Sequence, residues 1–256
     1  MSSKTQAQAS QSIVGAGLSK SATDILVKNL TTQTIAGGQG IDPANLDTDF
    51  VTLFLVILDE TGSMAGDQMA VVMAFDEMIA ALKDSKAADS ILVSVWAFNS
   101  SRTRLIHSYL TLDLVNSLTD YSPIGGTNLY DATLDGVTSL LQYEEELKKA
   151  GTRNQTVVVC FTDGEDNASH GKAADVKAVV DSLMSKEKYV FSLVAFDRDN
   201  RGYATQTALD MGFANVLTAG ATRSEIRKAM GTVSKSVIRA SQTQIGKASQ
   251  SGFFSN

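Results

Sequence analysis

Three oxygen-bearing side chains sit at alternate positions in Asp59-Glu60-Thr61-Gly62-Ser63-Met64. In an extended loop that spacing turns the Asp59 carboxylate and the Thr61 and Ser63 hydroxyls the same way. Oxygen-only donors, one of them charged, suit a hard divalent cation such as magnesium and would serve a soft metal poorly. Two more short motifs offer compatible chemistry. Gly125-Gly126-Thr127-Asn128 sets a hydroxyl at the start of a helical pattern, behind glycines that permit close backbone approach. Thr162-Asp163-Gly164 adds a second carboxylate. Each motif taken singly has a plain reading: a turn with a helix cap, a cap, and an everyday turn. Their joint occurrence matters only if the fold brings them together.

The elements around them make that expectation concrete. Phe50-Val-Thr-Leu-Phe-Leu-Val-Ile-Leu58 is a continuous apolar run that reads as a strand buried on both faces, and Asp59 lies where it ends. A helix follows over about 67–83, with Val71, Phe75, Met78 and Leu82 on one face. Strands are expected at 91–98 and 102–110, and the short link between them implies a hairpin with an antiparallel edge strand. A short helical segment at 112–118 leads to the glycine loop, then a helix over about 128–149. The pattern continues as a strand at 156–161, a helix at 173–186, a strand at 189–196, a short helix at 203–211 and a strand at 214–217. A last helix opens on the capping box Thr222-Arg-Ser-Glu225 and buries Ile226, Met230, Val233 and Val237. Its Arg223, Arg227, Lys228, Lys235 and Arg239 read as a solvated face, with a basic partner site as the alternative.

Alternation of this kind specifies an α/β fold, a mostly parallel sheet between helical layers, and such sheets bind ligands beyond the carboxyl ends of their strands. All three motifs fall in loops that the topology sends to that edge. Two carboxylates and three hydroxyls could then hold one six-coordinate magnesium, with water in the remaining positions and an appetite for one more anionic oxygen.

These residues resemble the von Willebrand factor A domain with its metal-ion-dependent adhesion site (MIDAS). The family pattern is Asp-x-Ser-x-Ser after the first strand, a Thr in a Gly-rich loop and an Asp in a Thr-Asp-Gly turn. The matching residues are Asp59, Thr61, Ser63, Thr127 and Asp163, with Thr61 where Ser is usual. The resemblance covers about residues 48–241. It implies a three-layer Rossmann-like sandwich, bound Mg²⁺ or Mn²⁺, and capture of a partner's Asp or Glu by the metal. It also implies hydroxyl ligation by Thr61, Ser63 and Thr127, with Asp59 and Asp163 acting directly or through water. Relatives of this kind often work beside ATPases of the AAA+ class or inside multi-protein assemblies. Glu60, Met64, Gly126, Asn128, Glu165, Asp166 and Asn167 are expected on the rim that meets the partner.

The flanks read differently from the domain over 46–241. Residues 1–45 are rich in Ser, Thr, Gln, Ala and Gly and are expected as a polar, partly disordered arm, docked at most by Ile25-Leu26-Val27. Residues 242–256 read as a second polar tail in which Phe253 and Phe254 are isolated apolar residues. With 43% hydrophobic and 20% charged residues and a net charge of -6, the chain has the composition of a soluble domain and no electrostatic reason to bind nucleic acid or an anionic membrane. No signal-like or membrane-spanning run is present, so a cytoplasmic setting is expected. The lone Cys160 reads as a buried hydrophobe.

Other chemistries fit poorly. Glu60 interrupts any aspartic-protease Asp-Thr-Gly, and neither a phosphate-binding Gly-x4-Gly-Lys loop nor a Gly-x-Ser-x-Gly elbow occurs. Asp197-Arg-Asp-Asn-Arg-Gly202 opens like a calcium loop, but Arg201 takes a ligand position and Ala208 stands where the bidentate Glu belongs. It is expected as a polar loop on the site's rim. His107 is expected on the surface of the edge strand, and His170 with Glu165, Asp166 and Asn167 on a solvated rim. The expected function is a non-catalytic, metal-dependent protein-binding module. The alternatives are a metal-dependent phosphoesterase with Glu165 or Asp166 as base, or a structural subunit using its polar arms.

Overall fold

Strand β1, Phe50–Asp59, is the spine of the molecule. Its apolar residues alternate between two cores: Leu53, Leu55 and Ile57 face one, Phe54, Val56 and Leu58 the other. A strand buried on both sides needs an apolar residue at nearly every position, and this one has them. The computed structural model describes residues 5–197 and 202–255.

Five further strands complete the sheet: β2 (Ile91–Asn99), β3 (Arg102–Thr111), β4 (Arg153–Thr162), β5 (Tyr189–Phe196) and β6 (Asn215–Ala219). Their order is β3-β2-β1-β4-β5-β6. All neighbours pair in parallel except β2 and β3, whose antiparallel pairing gives the expected edge hairpin. The register sets Leu58 beside Phe161 and Asp59 beside Phe98, so β1, β2 and β4 end at one level. Parallel strands require crossover helices, and these form the outer layers. Helices α4 (Gln68–Lys83) and α8 (Arg223–Ser241) cover one face. On the other lie α5 (Leu129–Lys149), α6 (Ala173–Met184) and α7 (Tyr203–Asp210). The Thr222–Glu225 capping box forms as expected. The segment expected as helical at 112–118 is helical only as a 3-10 turn, Leu112–Leu114.

The amino-terminal region departs from expectation. Residues 6–37, anticipated as part of a partly disordered arm, fold into α1 (Gln6–Gly15), α2 (Lys20–Lys28) and α3 (Thr32–Gly37). They complete the core on the α5 side, burying Ala9, Ile13, Ala22 and Leu26. The apolar residues are sparse, yet at helical spacing a few suffice to cover one flank. Polar contacts fix the register: the Asn29 amide donates to Asp135 (2.8 Å), and the Gln142 amide to the Thr34 carbonyl (3.1 Å). The loop after α3 lies so close that a Cβ on Gly37 would come within 2.4 Å of Trp96, and one on Gly40 within 2.5 Å of Tyr109. Only glycine fits there.

The carboxyl-terminal tail is also anchored. After α8 the chain forms α9 (Lys247–Ser251) and buries Ile245 and Phe253 in the core beneath α8. The Phe253 amide donates to Asn215 (2.9 Å), and the Gln250 amide to the Tyr189 carbonyl (3.1 Å). Phe253 therefore has a seat that sequence alone did not assign. His107 is likewise buried, and its Nε2 lies 3.0 Å from the Asn116 carbonyl. Cys160 is buried as expected, and burial pushes its thiol up to about 12.

Candidate metal site

At the carboxyl edge of the sheet, β1 and β4 release their chains into adjacent loops. Asp59 is fully buried at the last position of β1. One carboxylate oxygen accepts the Thr61 amide (2.8 Å), which folds the loop back over the strand end. The other accepts the Thr162 hydroxyl from the neighbouring strand (2.6 Å). Beyond Thr61 the chain turns into a 3-10 helix, Gly62–Asp67, that leads into α4. This turn sets the Thr61 and Ser63 hydroxyls 3.0 Å apart. Ser63 in turn donates to the Asp163 carboxylate (2.7 Å). Asp59, Thr61, Ser63 and Asp163 are thus joined in one hydrogen-bonded chain across two loops.

The third loop is held against the first two by its backbone. The Gly62 amide donates to the Gly125 carbonyl (2.9 Å), and the Ser100 amide to the Gly126 carbonyl (2.7 Å). Gly125 has φ +76°, a left-handed turn that favours glycine. Thr127 follows, nearly buried; its amide donates to the Asn167 side chain (2.8 Å), and its carbonyl accepts the amides of Asn167 and Ala168. Its hydroxyl faces the Asp163–Gly164 turn, 3.9 Å from where a Gly164 Cβ would stand. All five expected residues are brought together.

The electrostatics are unusual for a buried acid. Burial pushes the Asp59 carboxyl up from 3.8 to about 6, and nearby Asp163 adds to the rise, while the bonds from Thr162 and Thr61 resist it. No ion pair reaches Asp59 among the described residues. Nor do those residues hold any group of three or more His, Cys, Asp or Glu able to bind a metal. A metal here would be held by two carboxylates and three hydroxyls, with water or an incoming oxygen for the rest. That donor set fits a hard, oxygen-seeking divalent ion.

No family model matches the chain. It is 26% identical over 156 residues to ORF892 of Acidianus two-tailed virus, described as containing a VWFA domain; the match covers 59% of this chain and 16% of that protein. Among solved structures, proximal thread matrix protein 1 of the mussel byssus, with a zinc-occupied MIDAS motif, superposes with a TM-score of 0.51 at 18% identity, covering 75% of this chain and 46% of that one. The open form of the pilus adhesin SpaC from Lactobacillus rhamnosus GG gives 0.50 at 13% identity, covering 75% and 30%. The chain folds as a von Willebrand factor A domain. It spans less than half the length of each of these three proteins.

Within this fold several residues expected on the rim have other positions. Met64 is fully buried in the core beside α4, because the 3-10 turn points it inward. Glu60 is fully buried too: one oxygen accepts Arg104 and the Ser122 amide, each at 2.7 Å. Alternation along the extended chain sends Glu60 to the side opposite Asp59 and Thr61, toward the edge hairpin. Asn128 is buried at the start of α5. Asp166 ties the β4 loop to that helix, accepting the Tyr130 amide (3.0 Å) and both the amide and hydroxyl of Ser169. Gly126 is partly exposed and Glu165 and Asn167 are exposed, so these three remain at the surface around the site. The calcium-like stretch is not placed, since residues 198–201 lie outside the described residues.

Two contributors escaped sequence reading. Thr162, in the very motif that supplied Asp163, spends its hydroxyl on Asp59. Tyr121 donates its phenol to the Asp59 carbonyl (2.6 Å), and burial together with the acids around it pushes that phenol up, so the donor stays protonated. The Thr-Asp-Gly motif could have revealed the first, since its threonine ends the strand beside β1. Nothing local marks Tyr121.

Proposed function

We propose that the A domain binds a divalent cation, Mg²⁺ or Mn²⁺, through Asp59, Thr61, Ser63, Thr127 and Asp163, and uses it to capture an Asp or Glu of a protein partner. The observation that carries this reading is the state of Asp59: a wholly buried carboxylate beside a second one, with hydroxyl and amide donors but no cation of its own among the described residues. Burying such a charge unpaired is costly, and a bound cation removes the cost. With at most two carboxylates around it, a divalent ion retains affinity for one more anionic oxygen. The zinc-occupied MIDAS of the mussel protein supports a divalent ion at this place in the fold. A partner carboxylate would meet the metal between Glu165, Gly126 and Asn167. Such a partner would be a component of a multi-protein assembly, with an ATPase of the AAA+ class as one form.

We read the site as binding rather than catalytic. Of the two acids considered as a general base, Asp166 already accepts three hydrogen bonds in holding its own loop. That positions it as a strut. Calorimetric titration of Mg²⁺ into chelator-treated protein should give one site, abolished in Asp59→Ala and in Asp163→Ala. Undiminished binding in either variant would remove the reading. Magnesium-dependent turnover of a phosphate ester that Asp163→Ala abolishes would replace it with the phosphoesterase.

A further inference from the structure

Helix α8 is basic in an acidic protein. It carries Arg223, Arg227, Lys228, Lys235 and Arg239 against one acid, Glu225, while the whole chain has 22 basic and 28 acidic residues. The three arginines have work inside the fold. Arg227 pairs with Glu77 of α4 (2.5 Å), Arg239 donates to the Phe253 carbonyl, and Arg223 reaches the Met73 sulfur. The two lysines do not. Both are exposed and make no ion pair among the described residues.

Their placement is regular. Ser224, Lys228, Gly231 and Lys235 follow at i, i+4, i+7 and i+11, so they form one line along the helix. That line edges a cleft of about 550 Å³ between α8 and α4, with Ala74, Glu77 and Ala81 on the opposite wall. Gly231 lies between the lysines, and a Cβ built there meets nothing within 4 Å. A glycine inside a long helix weakens it relative to alanine, and here no packing requires one. What it does is keep the floor between two ammonium groups open.

We propose that the Lys228–Gly231–Lys235 notch docks an acidic segment of a partner polypeptide, with carboxylates about 10 Å apart to match the two-turn rise between the lysines. Carboxylates two turns apart on a helical segment of the partner match that spacing, and the two lysines supply the complementary charge. This surface is made by helices rather than by the loops of the metal site, so the inference stands whether or not that site binds a metal.

The test is fluorescence anisotropy with a labelled twelve-residue oligoglutamate at low salt, in the presence of chelator. Wild type and Asp59→Ala should bind alike. The double variant Lys228→Gln/Lys235→Gln should lose roughly tenfold in affinity or more, and Lys20→Gln/Lys28→Gln, which removes the same charge from the opposite face, less than about twofold. Gly231→Leu should weaken binding as the lysine changes do while the thermal midpoint holds or rises. No binding by wild type, equal losses in the two double variants, or full binding by Gly231→Leu would overturn the proposal. So would tighter binding of a single-stranded oligothymidylate than of the oligoglutamate.

Discussion

Two buried acids lie on one face of the sheet, at opposite ends of strand β4, and the fold treats them differently. Glu144, from α5, accepts Asn154 (2.7 Å), Thr156 (2.9 Å), Lys188 (3.2 Å) and the Tyr189 phenol (2.6 Å). It has a full set of donors and an internal cation. Asp59 accepts one amide and one hydroxyl, and the charge that acts on it is another acid, Asp163. The third acid that the described fold buries, Glu60, is paired with Arg104. Protein interiors pair their charges because an unpaired one is expensive. Glu144 and Glu60 each have a counter-ion; Asp59 has none among the described residues, nor does the less buried Asp135, which accepts Asn29 instead, so Asp59 is set apart by complete burial without a cation. That contrast is the support for proposing Asp59 as a metal ligand.

The contrast can be broken by making Glu144 resemble Asp59. Lys188→Met removes the internal cation and should cost about 3 kcal/mol of stability at pH 7, since it leaves a buried charge uncompensated. Urea unfolding would measure it, and Mg²⁺ affinity at the far end should stay the same. A cost near zero would mean that hydrogen bonds alone satisfy a buried acid here, and Asp59 would lose its special standing.

A somewhat smaller effect tests Asp59 itself. Its folded pKa, about 6, lies above 3.8, so between those values the metal-free folded state holds a proton that the unfolded state has released. Stability from this group is fully present below pH 3.8 and is lost as pH rises through 6. Asp59→Asn has no such loss, so the metal-free variant should exceed wild type by roughly 2–3 kcal/mol at pH 7 and match it near pH 4. Magnesium should restore the wild type and leave the variant unmoved. Parallel stability curves for the two proteins from pH 4 to 7 would refute this account.

How much of this was legible beforehand depended on where the signal lay. The sheet was readable because β1 and β4 are apolar runs long enough to be strands and little else, and the short link before Arg102 forced the hairpin. The convergence of Asp59, Thr127 and Asp163 followed from topology, since each lies just beyond or between strands that end on one edge. The helices over 6–37 were hidden because their seats, including Ala9 and Ala22, are small residues in a polar segment, and small residues give little periodic contrast. Glu60 and Met64 were misplaced for a different reason. Proximity in sequence suggested a shared rim, but alternation along the loop and the 3-10 turn send one toward Arg104 and the other into the core. Phe253 has its pocket between elements far away in sequence, which no local pattern reports.

The finest test uses two threonines on β4. Thr156 and Thr162 are both fully buried, and each gives its hydroxyl to one of the contrasted acids, at 2.9 Å and 2.6 Å. Valine keeps the shape and removes the donor. At Thr156 the change leaves Glu144 with Lys188, Asn154 and Tyr189, so stability should fall by about 1 kcal/mol, with no effect on magnesium. At Thr162 one Asp59 oxygen loses its protein donor, and the site loses the bond that aims the carboxylate. Holding a ligand in orientation is what such outer contacts do, and losing one should weaken Mg²⁺ binding about 10-fold or more. Calorimetry on both variants settles it. If Thr156→Val and Thr162→Val move magnesium affinity equally, or neither moves it, then the two ends of the strand are alike and the difference between their acids has no functional content.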